Sequence, residues 1–116
     1  MVFADIAENG KFAPGKLAAT LLTTVEEVAQ TAGLSRDAVA RQARAGTAKT
    51  QKRLREMVEI LTRVSPRFGS DLLAYAWYRS TPLSGYGDVT AMRLVQDGRA
   101  EAVHRFLDRL DAGLHA

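Results

Sequence analysis

The sequence predicts an all-α protein, and two observations of its pattern support this fold class. Apolar residues recur at intervals of three and four along several segments, as they do on one face of a helix. No segment alternates apolar and polar residues with the period of two that is typical of a half-buried strand. Hydrophobic residues make up 47% and charged residues 25% of the 116 residues, which is ordinary for a globular domain.

The first part of the chain is predicted to contain an arm and two helix starts. Residues 1–15 contain two glycines and a proline but no sustained period, so we expect an N-terminal arm. A short apolar helix is predicted over residues 16–22. Thr24 and Glu27 then have the spacing of a capping box, in which the Thr24 hydroxyl accepts from a helical amide and the Glu27 carboxylate reaches back.

Two short capped helices joined by a tight turn have the spacing of a helix-turn-helix. The first begins after Thr24 and ends at Gly33, which tolerates a left-handed backbone. Ser35 caps a second helix, which we expect to be continuous from Arg36 to Ala45. A helical hairpin with no DNA role is the alternative reading of this pattern.

Positive charge is concentrated around the second of these helices. The chain has a net charge of +3, but residues 35–55 contain seven basic residues and one acidic residue. Such a segment is typical of a phosphate-binding surface, although a solvated basic helix face is an equally simple explanation. Arginine can pair with guanine or phosphate, and small Ala40 would let the helix lie deep in a major groove. The expected DNA-binding residues are Arg36, Ala40, Arg41, Arg44, Lys49, Lys52 and Arg53.

Four further helices are predicted after this segment. An amphipathic helix covers residues 50–64, and Ser65-Pro66 is expected to restart the chain. A loop with a proline and two glycines separates the next helix from a short helix over residues 91–97, which Thr90 is expected to cap. A last helix is predicted over residues 99–111. The apolar face of the helix before the loop is expected to consist of Leu72, Leu73, Ala76 and Trp77.

Three motifs in the C-terminal half follow one another in a distinctive order. They are Trp77 to Gly85 (WYRSTPLSG), Leu94 to Arg99 (LVQDGR) and an amphipathic segment from Val103 to Gly113. In this order and spacing they resemble the C-terminal domain of the MbcA/ParS/Xre antitoxin family. The N-terminal helices resemble those of Xre proteins, so that the likeness extends over nearly the whole chain.

The resemblance implies an antitoxin of a RES–Xre type II toxin–antitoxin system. It divides the chain into an arm (1–15), an Xre-like helix-turn-helix bundle (16–64) and a small helical toxin-binding domain (65–116). In such systems the C-terminal helix and tail of the antitoxin cap the NAD pocket of a RES-domain toxin, which consumes NAD or uses it for ADP-ribosylation. Carried onto this chain, the toxin contact would comprise Arg105, Arg109, Asp111, Gly113, Leu114, His115 and Ala116.

The predicted helix-turn-helix and the predicted toxin contact each imply a partner, and each has an alternative explanation. Operator DNA and a homodimer are expected, because a single helix-turn-helix rarely binds an operator tightly and two half-sites supply the missing affinity. The main rival is a stand-alone repressor whose C-terminal half only dimerises. A frayed terminus without a role is the simpler explanation of the last residues.

The sequence offers no constellation of catalytic residues. Glu101, His104 and Asp108 share one helix face, but a solvated polar surface explains them better than a metal site does. The chain has no cysteine, and it has no apolar stretch long enough to span a membrane. We therefore expect a cytoplasmic protein that is not an enzyme and needs neither cofactor nor metal.

Overall fold

A computed structural model describes the backbone of residues 1–115, together with their side chains except those of Gln42, Leu114 and His115. The described part of the chain is mostly helical, which confirms the predicted fold class at this coarse level. Its elements in chain order are α1 (Phe3–Ile6), β1 (Ala7–Glu8), β2 (Lys11–Phe12), α2 (Pro14–Thr20), α3 (Val25–Thr31), α4 (Arg36–Ala40), α5 (Gln42–Ala45), α6 (Ala48–Phe68), α7 (Asp71–Ser80), α8 (Ala91–Gln96) and α9 (Ala100–His115).

The first fifteen residues, which were predicted to form an N-terminal arm, contain a short helix and a hairpin that pack against the helices. β1 and β2 form an antiparallel hairpin in which Ala7 lies opposite Phe12. Asn9 and Gly10 make its turn with positive φ, as the Asn-Gly pair of a two-residue hairpin does. The side-chain amide of Gln51 on α6 accepts from the Phe12 amide and donates to the Phe12 carbonyl, both at 2.9 Å. This hairpin also corrects the expectation that the chain contains no strand.

Helix α6 is the centre of the hydrophobic core. It packs against α7, α8, α9 and strand β2. Its buried apolar side chains are Leu54, Met57, Val58, Ile60, Leu61 and Val64. The helix continues through Pro66 and ends at Gly69, which has φ +79°, so the predicted restart at Ser65-Pro66 is wrong. The boundary expected after residue 64 therefore lies inside a continuous helix, and one core cluster contains side chains from both sides of it.

Helix α7 buries a different face from the one expected. Its buried side chains are Ala74, Tyr75 and Tyr78. Leu72 and Leu73, which were expected in the core, are exposed, and Trp77 is half-buried. Because α7 is apolar on both sides, its sequence alone does not choose the buried face. The two tyrosines settle the choice, since their hydroxyls find partners on α3.

The last two helices meet at Gly98, which has φ +77°. Thr90 caps α8 by accepting from the Arg93 amide at 3.1 Å, as predicted. Helix α9 extends to His115 rather than ending near Asp111, so the described part of the segment expected as a tail is helical. Among the described residues, no helix is both long and apolar enough to cross a membrane.

Candidate functional site

Helices α3 and α4 are joined by the tight turn that the sequence predicted. The Thr24 hydroxyl accepts from the Glu27 amide at 3.1 Å, and the Ser35 hydroxyl accepts from the Ala38 amide at 3.3 Å. These bonds satisfy amide groups that have no partner within the helix, and they fix where each helix begins. Ala29 is buried where the two helices approach each other.

Gly33 in this turn is required for two reasons. Its φ of +76° lies in the left-handed region, which favours glycine. A Cβ at this position would lie 3.0 Å from the Cα of Gln96, at the end of α8. The side-chain amide of Gln96 also donates to the Gln30 carbonyl at 2.9 Å. The turn between α3 and α4 therefore packs directly against the end of α8.

The second helix is interrupted, which corrects the prediction of one helix over residues 36–45. Helix α4 ends at Ala40, and Arg41 has an extended backbone with φ −131° and ψ 142°. Val39 and Ala45 are both buried, although residues six apart lie well away from each other around a continuous helix. The break at Arg41 lets both side chains be buried on the side of the segment that faces the hairpin. Arg36 and Arg44 consequently lie on two different short helices.

Most of the predicted DNA-binding residues are at the surface. The exposed members of the set are Arg36, Ala40, Arg41, Arg44, Lys49 and Lys52. Arg53 is the exception, because its Nη1 donates to the Val95 carbonyl at 2.8 Å and lies 3.6 Å from Glu56 Oε1. This half-buried guanidinium joins α6 to α8, so its expected place on the basic surface is wrong.

The hairpin adds one cation that the sequence analysis missed. Lys11 Nζ donates to the Gly46 carbonyl at 2.9 Å, in the turn between α5 and α6. This contact brings an exposed lysine close to the turn that separates Arg44 from Lys49. Lys11 is more than twenty residues from the basic segment, so only the hairpin fold reveals that it belongs to the same surface.

A cavity of about 880 Å³ opens between the hairpin and the α4–α5 segment. Phe12, Pro14, Val25 and Val39 are among its lining side chains, and most of the lining is apolar. Val39 and Ala45, the buried side chains of the α4–α5 segment, also line this cavity and are not part of the main core cluster.

A hydrogen-bond network joins α3 to α7, and it corrects the second half of the predicted capping box. The Glu27 carboxylate accepts from the hydroxyls of Thr23 and Tyr75 instead of reaching back to the Thr24 amide. Arg79 Nη1 lies 3.6 Å from the same carboxylate. The Thr23 hydrogen bond is the largest influence that lowers the pKa of Glu27, with Tyr75 and Arg79 acting in the same direction. The carboxylate is therefore held in its charged form.

The two tyrosines of α7 anchor that network in the core. The Tyr75 hydroxyl also contacts Thr31 Oγ1 at 3.2 Å, and the Tyr78 hydroxyl donates to the Thr31 carbonyl at 2.5 Å. Burial raises the pKa of Tyr75 to about 12. Burial also raises the pKa of Tyr78 well above its usual value. Both hydroxyls therefore remain protonated donors at neutral pH.

The end of α9 is held to α6 by ion pairs. Arg63 Nη2 lies 2.6 Å from Asp108 and 3.2 Å from Asp111, and Arg67 also pairs with Asp111. Asp111 was expected to contact a toxin, but its carboxylate is engaged by two arginines of its own chain. Arg63 also bonds the ring and the carbonyl of His104. Among the described residues, no group of histidine and acidic side chains is arranged to hold a metal ion.

The remaining predicted toxin-contact residues lie along the last turns of α9. Arg105 and Arg109 are exposed, and the Arg109 guanidinium lies 5.3 Å from the centre of the Tyr86 ring. Gly113 lies in the helix, and a Cβ there would meet open space. The backbone of α9 includes Leu114 and His115, but their side chains and the whole of Ala116 lie outside the described part of the chain.

Helix α9 has an apolar side chain at the point where it leaves the core. Val103 and Leu107 are fully buried, whereas Leu110, which continues the same stripe, is 43% exposed. The positions three and seven residues before Leu110 thus face the interior, and Leu110 itself faces solvent. A partner that covered this end of α9 would complete the burial of the stripe.

A second apolar surface, which we call the α7 outer face, consists of the exposed Phe68, Leu72 and Leu73 together with the half-buried Ala76 and Trp77. The ring centres of Phe68 and Trp77 are 6.3 Å apart. Leu73 is 56% exposed, and Leu72 and Phe68 are also exposed. The sequence pattern does not reveal this surface, because Leu72, Leu73, Ala76 and Trp77 have the spacing of a buried helix face.

Comparison with known proteins adds no relative. No protein-family model matches the chain, and the chain has no match among the curated proteins or the solved structures.

Proposed function

We propose that this chain is an antitoxin of the RES–Xre class, which binds a RES-domain toxin through the end of α9 and closes the toxin's NAD pocket. The order of the motifs between Trp77 and Gly113 supports this class. The observation that carries the proposal is the exposed Leu110, which extends the buried stripe of α9 beyond the core. An apolar side chain at a helix end, next to exposed arginines, suits a protein partner.

The surroundings of Leu110 support such a contact in a second way. The ion pairs of Asp108 and Asp111 with α6 hold the last turns of α9 in place, so little conformational freedom remains to be lost on binding. Arg105 and Arg109 are four residues apart and exposed on one side of α9. Guanidinium groups recognise carboxylates and phosphates well, which suits the rim of a pocket that binds a dinucleotide. Neutralisation would then be steric occlusion.

Autoregulation by DNA binding is a further part of the proposal. The capped turn between α3 and α4 and the exposed cations Arg36, Arg41 and Arg44 support it. Helix α4 has five residues, so base contacts would be few and phosphate contacts would supply most of the affinity. Such a surface needs a second half-site, and we therefore include a homodimer in the proposal.

The alternative is a stand-alone repressor whose C-terminal half dimerises. The α7 outer face favours this function, because it offers an apolar surface that α9 does not use. The two functions differ in what the end of α9 does. In the antitoxin it contacts another protein, whereas in the repressor its removal would change dimerisation or nothing.

The test co-expresses the chain with a RES-domain toxin and measures NAD consumption. We expect Leu110→Glu to weaken neutralisation by on the order of tenfold or more, because a carboxylate buried without a partner is costly. Deletion of residues 113–116 should have an effect in the same direction. Leu22→Glu is the matched control, since Leu22 is 77% exposed in the turn after α2 and the change adds the same charge.

Neutralisation by Leu110→Glu and by the deletion at unchanged potency would contradict the antitoxin proposal. A deletion that leaves neutralisation intact but changes the mass of the particle in solution would favour the repressor. Far-UV circular dichroism of each variant checks that the helices are retained.

A further inference from the structure

The space between the hairpin and the α4–α5 segment, which we call the hairpin cavity, has two walls whose separation is set by hydrogen bonds. Its volume of about 880 Å³ is within the range of small-molecule sites in proteins. Gln51 on α6 joins the walls, because its Nε2 donates to the Phe12 carbonyl at 2.9 Å and to the Ala45 carbonyl at 2.8 Å. The bond from Lys11 to the Gly46 carbonyl is a second bridge. The cavity is therefore formed in advance, and a ligand has little to order on binding.

The lining of the hairpin cavity favours a ligand with an apolar body. Pro14, Val25 and Val39 are among its apolar side chains. Gln51 is the buried polar side chain of the lining, and its amide is already bonded, since Oε1 accepts from the Phe12 amide and Nε2 donates to two carbonyls. Gln51 therefore needs no polar partner from a ligand, and burial of apolar surface supplies the affinity.

The charged side chains of the lining favour an anion. They are Lys11, Lys16 and Glu8, and all three are exposed. Each lysine Nζ donates to one backbone carbonyl, at 2.9 Å for Lys11 and 3.0 Å for Lys16, and neither forms an ion pair among the described residues. An ammonium group has three donors, so each lysine retains two for a ligand together with its charge. Two ammonium groups beside one carboxylate suit a monocarboxylate better than a doubly charged group.

The α4–α5 segment gives a second, independent reason to expect a ligand here. Of its described side chains, Val39 and Ala45 are buried, and both line the cavity instead of belonging to the main core cluster. Ala43 also lines the cavity and is exposed. A segment with few apolar contacts opens locally at low cost. A ligand in the cavity would supply apolar contacts that the core does not give to this segment.

We infer that the hairpin cavity binds a small monocarboxylic acid with an apolar body. The body lies against Val25 and Val39, and Lys11 and Lys16 supply the positive charge for the carboxylate. The site is separate from the end of α9, and the inference depends on neither toxin nor DNA. Because the α4–α5 segment also carries the arginines of the proposed DNA contact, the bound acid would stabilise that surface as well.

The experiment titrates the full chain with octanoate and with naphthoate, and it follows the valine methyl resonances by NMR. The alcohols of the same carbon skeletons are titrated in parallel. We expect the methyl resonances of Val25 and Val39 to shift, whereas those of Val103, which is buried in the core on α9, stay in place. Each acid should bind about tenfold more tightly than its alcohol, because a hydrogen bond to a charged group is stronger than one to a neutral group.

The charge is tested with Lys11→Gln/Lys16→Gln, which should bind the acid no more tightly than the alcohol. Lys49→Gln/Lys52→Gln is the matched control, since both of these lysines are exposed and lie outside the lining. It removes the same charge from the chain and should keep the preference for the acid.

The apolar body is tested with Val39→Phe, which fills part of the cavity and should weaken the binding of acid and alcohol alike. Val25→Phe is the second variant in case the first does not fold. Val2→Phe is the matched control and should bind like the wild type, since Val2 is 65% exposed and is not part of the lining.

Methyl resonances of Val25 and Val39 that move with neither acid would overturn the inference. Binding that Val39→Phe and Val25→Phe leave unchanged would place the acid elsewhere and would also overturn it. Equal affinity for each acid and its alcohol in the wild type would contradict the assignment of a carboxylic acid. None of these measurements uses a toxin, so the inference and the proposed function can fail separately.

Discussion

Helix α3, which precedes the proposed DNA-binding segment, and helix α9, which carries the proposed toxin contact, are attached to the core in different ways. Helix α3 is joined to α7 by hydrogen bonds from the buried tyrosines Tyr75 and Tyr78 to α3 residues. Helix α9 is joined to α6 at its end by ion pairs of Arg63 and Arg67 with aspartates. The side chains of these ion pairs are between 28% and 67% exposed, whereas the two tyrosines are almost completely buried.

The two kinds of attachment differ in how much free energy they contribute to holding each helix in place. Breaking a buried hydrogen bond leaves a group that has lost its contact with water and costs about 1–3 kcal/mol. A surface ion pair contributes about 0–1 kcal/mol and is weakened by salt. The position of α3 should therefore be preserved as long as the protein is folded. The end of α9 is held by interactions that a partner can exchange for its own.

The largest effect is expected at Tyr78. Replacement by alanine removes a fully buried aromatic side chain and should lower the free energy of unfolding by about 3–5 kcal/mol. Tyr78→Phe keeps the ring but leaves the Thr31 carbonyl without its 2.5 Å donor, and it should cost about 1–3 kcal/mol. Urea unfolding with an unchanged m-value measures both losses. Equal stability of Tyr78→Phe and the wild type would contradict a contribution of the Tyr78–Thr31 hydrogen bond to the attachment of α3.

An intermediate effect is expected from alkaline pH. The tyrosine of an unfolded chain ionises near about pH 10, whereas burial raises the pKa of Tyr75 to about 12. The unfolded state therefore releases this proton first, so the stabilisation is complete below about pH 10 and is lost as the pH rises toward about 12.

Urea unfolding across this pH window should show a smaller loss of stability in Tyr75→Phe than in the wild type. Tyr86→Phe, a change in the half-buried loop tyrosine, is the matched control and should keep the wild-type slope. A Tyr75→Phe variant with the full wild-type slope would be inconsistent with the buried network.

The smallest effect is expected at Asp111. Asp111→Asn removes the charge that Arg63 and Arg67 share, and it should lower the free energy of unfolding by about 0–1 kcal/mol at low salt. The difference from wild type should shrink as sodium chloride is added. Glu59→Gln is the control, since Glu59 is exposed on α6 and forms no ion pair among the described residues. A larger loss, insensitive to salt, would make the two attachments equivalent.

Local signals in the sequence predicted the starts of α3, α4 and α8 correctly. Thr24, Ser35 and Thr90 were expected as caps, and each accepts from an amide three residues later. A cap depends on neighbouring residues alone, so it can be recognised without the fold. The buried face of α7 could not be recognised in this way, because Leu73 and Tyr75 are on opposite sides and both are compatible with a core.

In the candidate sites, too, properties that depend on a residue alone were predictable, whereas those that depend on a distant partner were not. Exposure of Arg36 and Arg44 was predictable, since basic side chains are rarely buried. The roles of Arg53 and Asp111 were not, because their partners Val95 and Arg63 are more than forty residues away in the chain. Lys11 was missed for the same reason. Long-range pairing thus decides which charges are available to a partner.

The contact of Gly33 with Gln96 has a mechanical consequence. The Cα of Gln96 occupies the place that a methyl group on residue 33 would need, so the turn before α4 and the end of α8 touch backbone to backbone. Such a contact has no flexible side chain to absorb a displacement. Any binding event that shifts α8 by a fraction of an ångström must push the turn before α4 along with it.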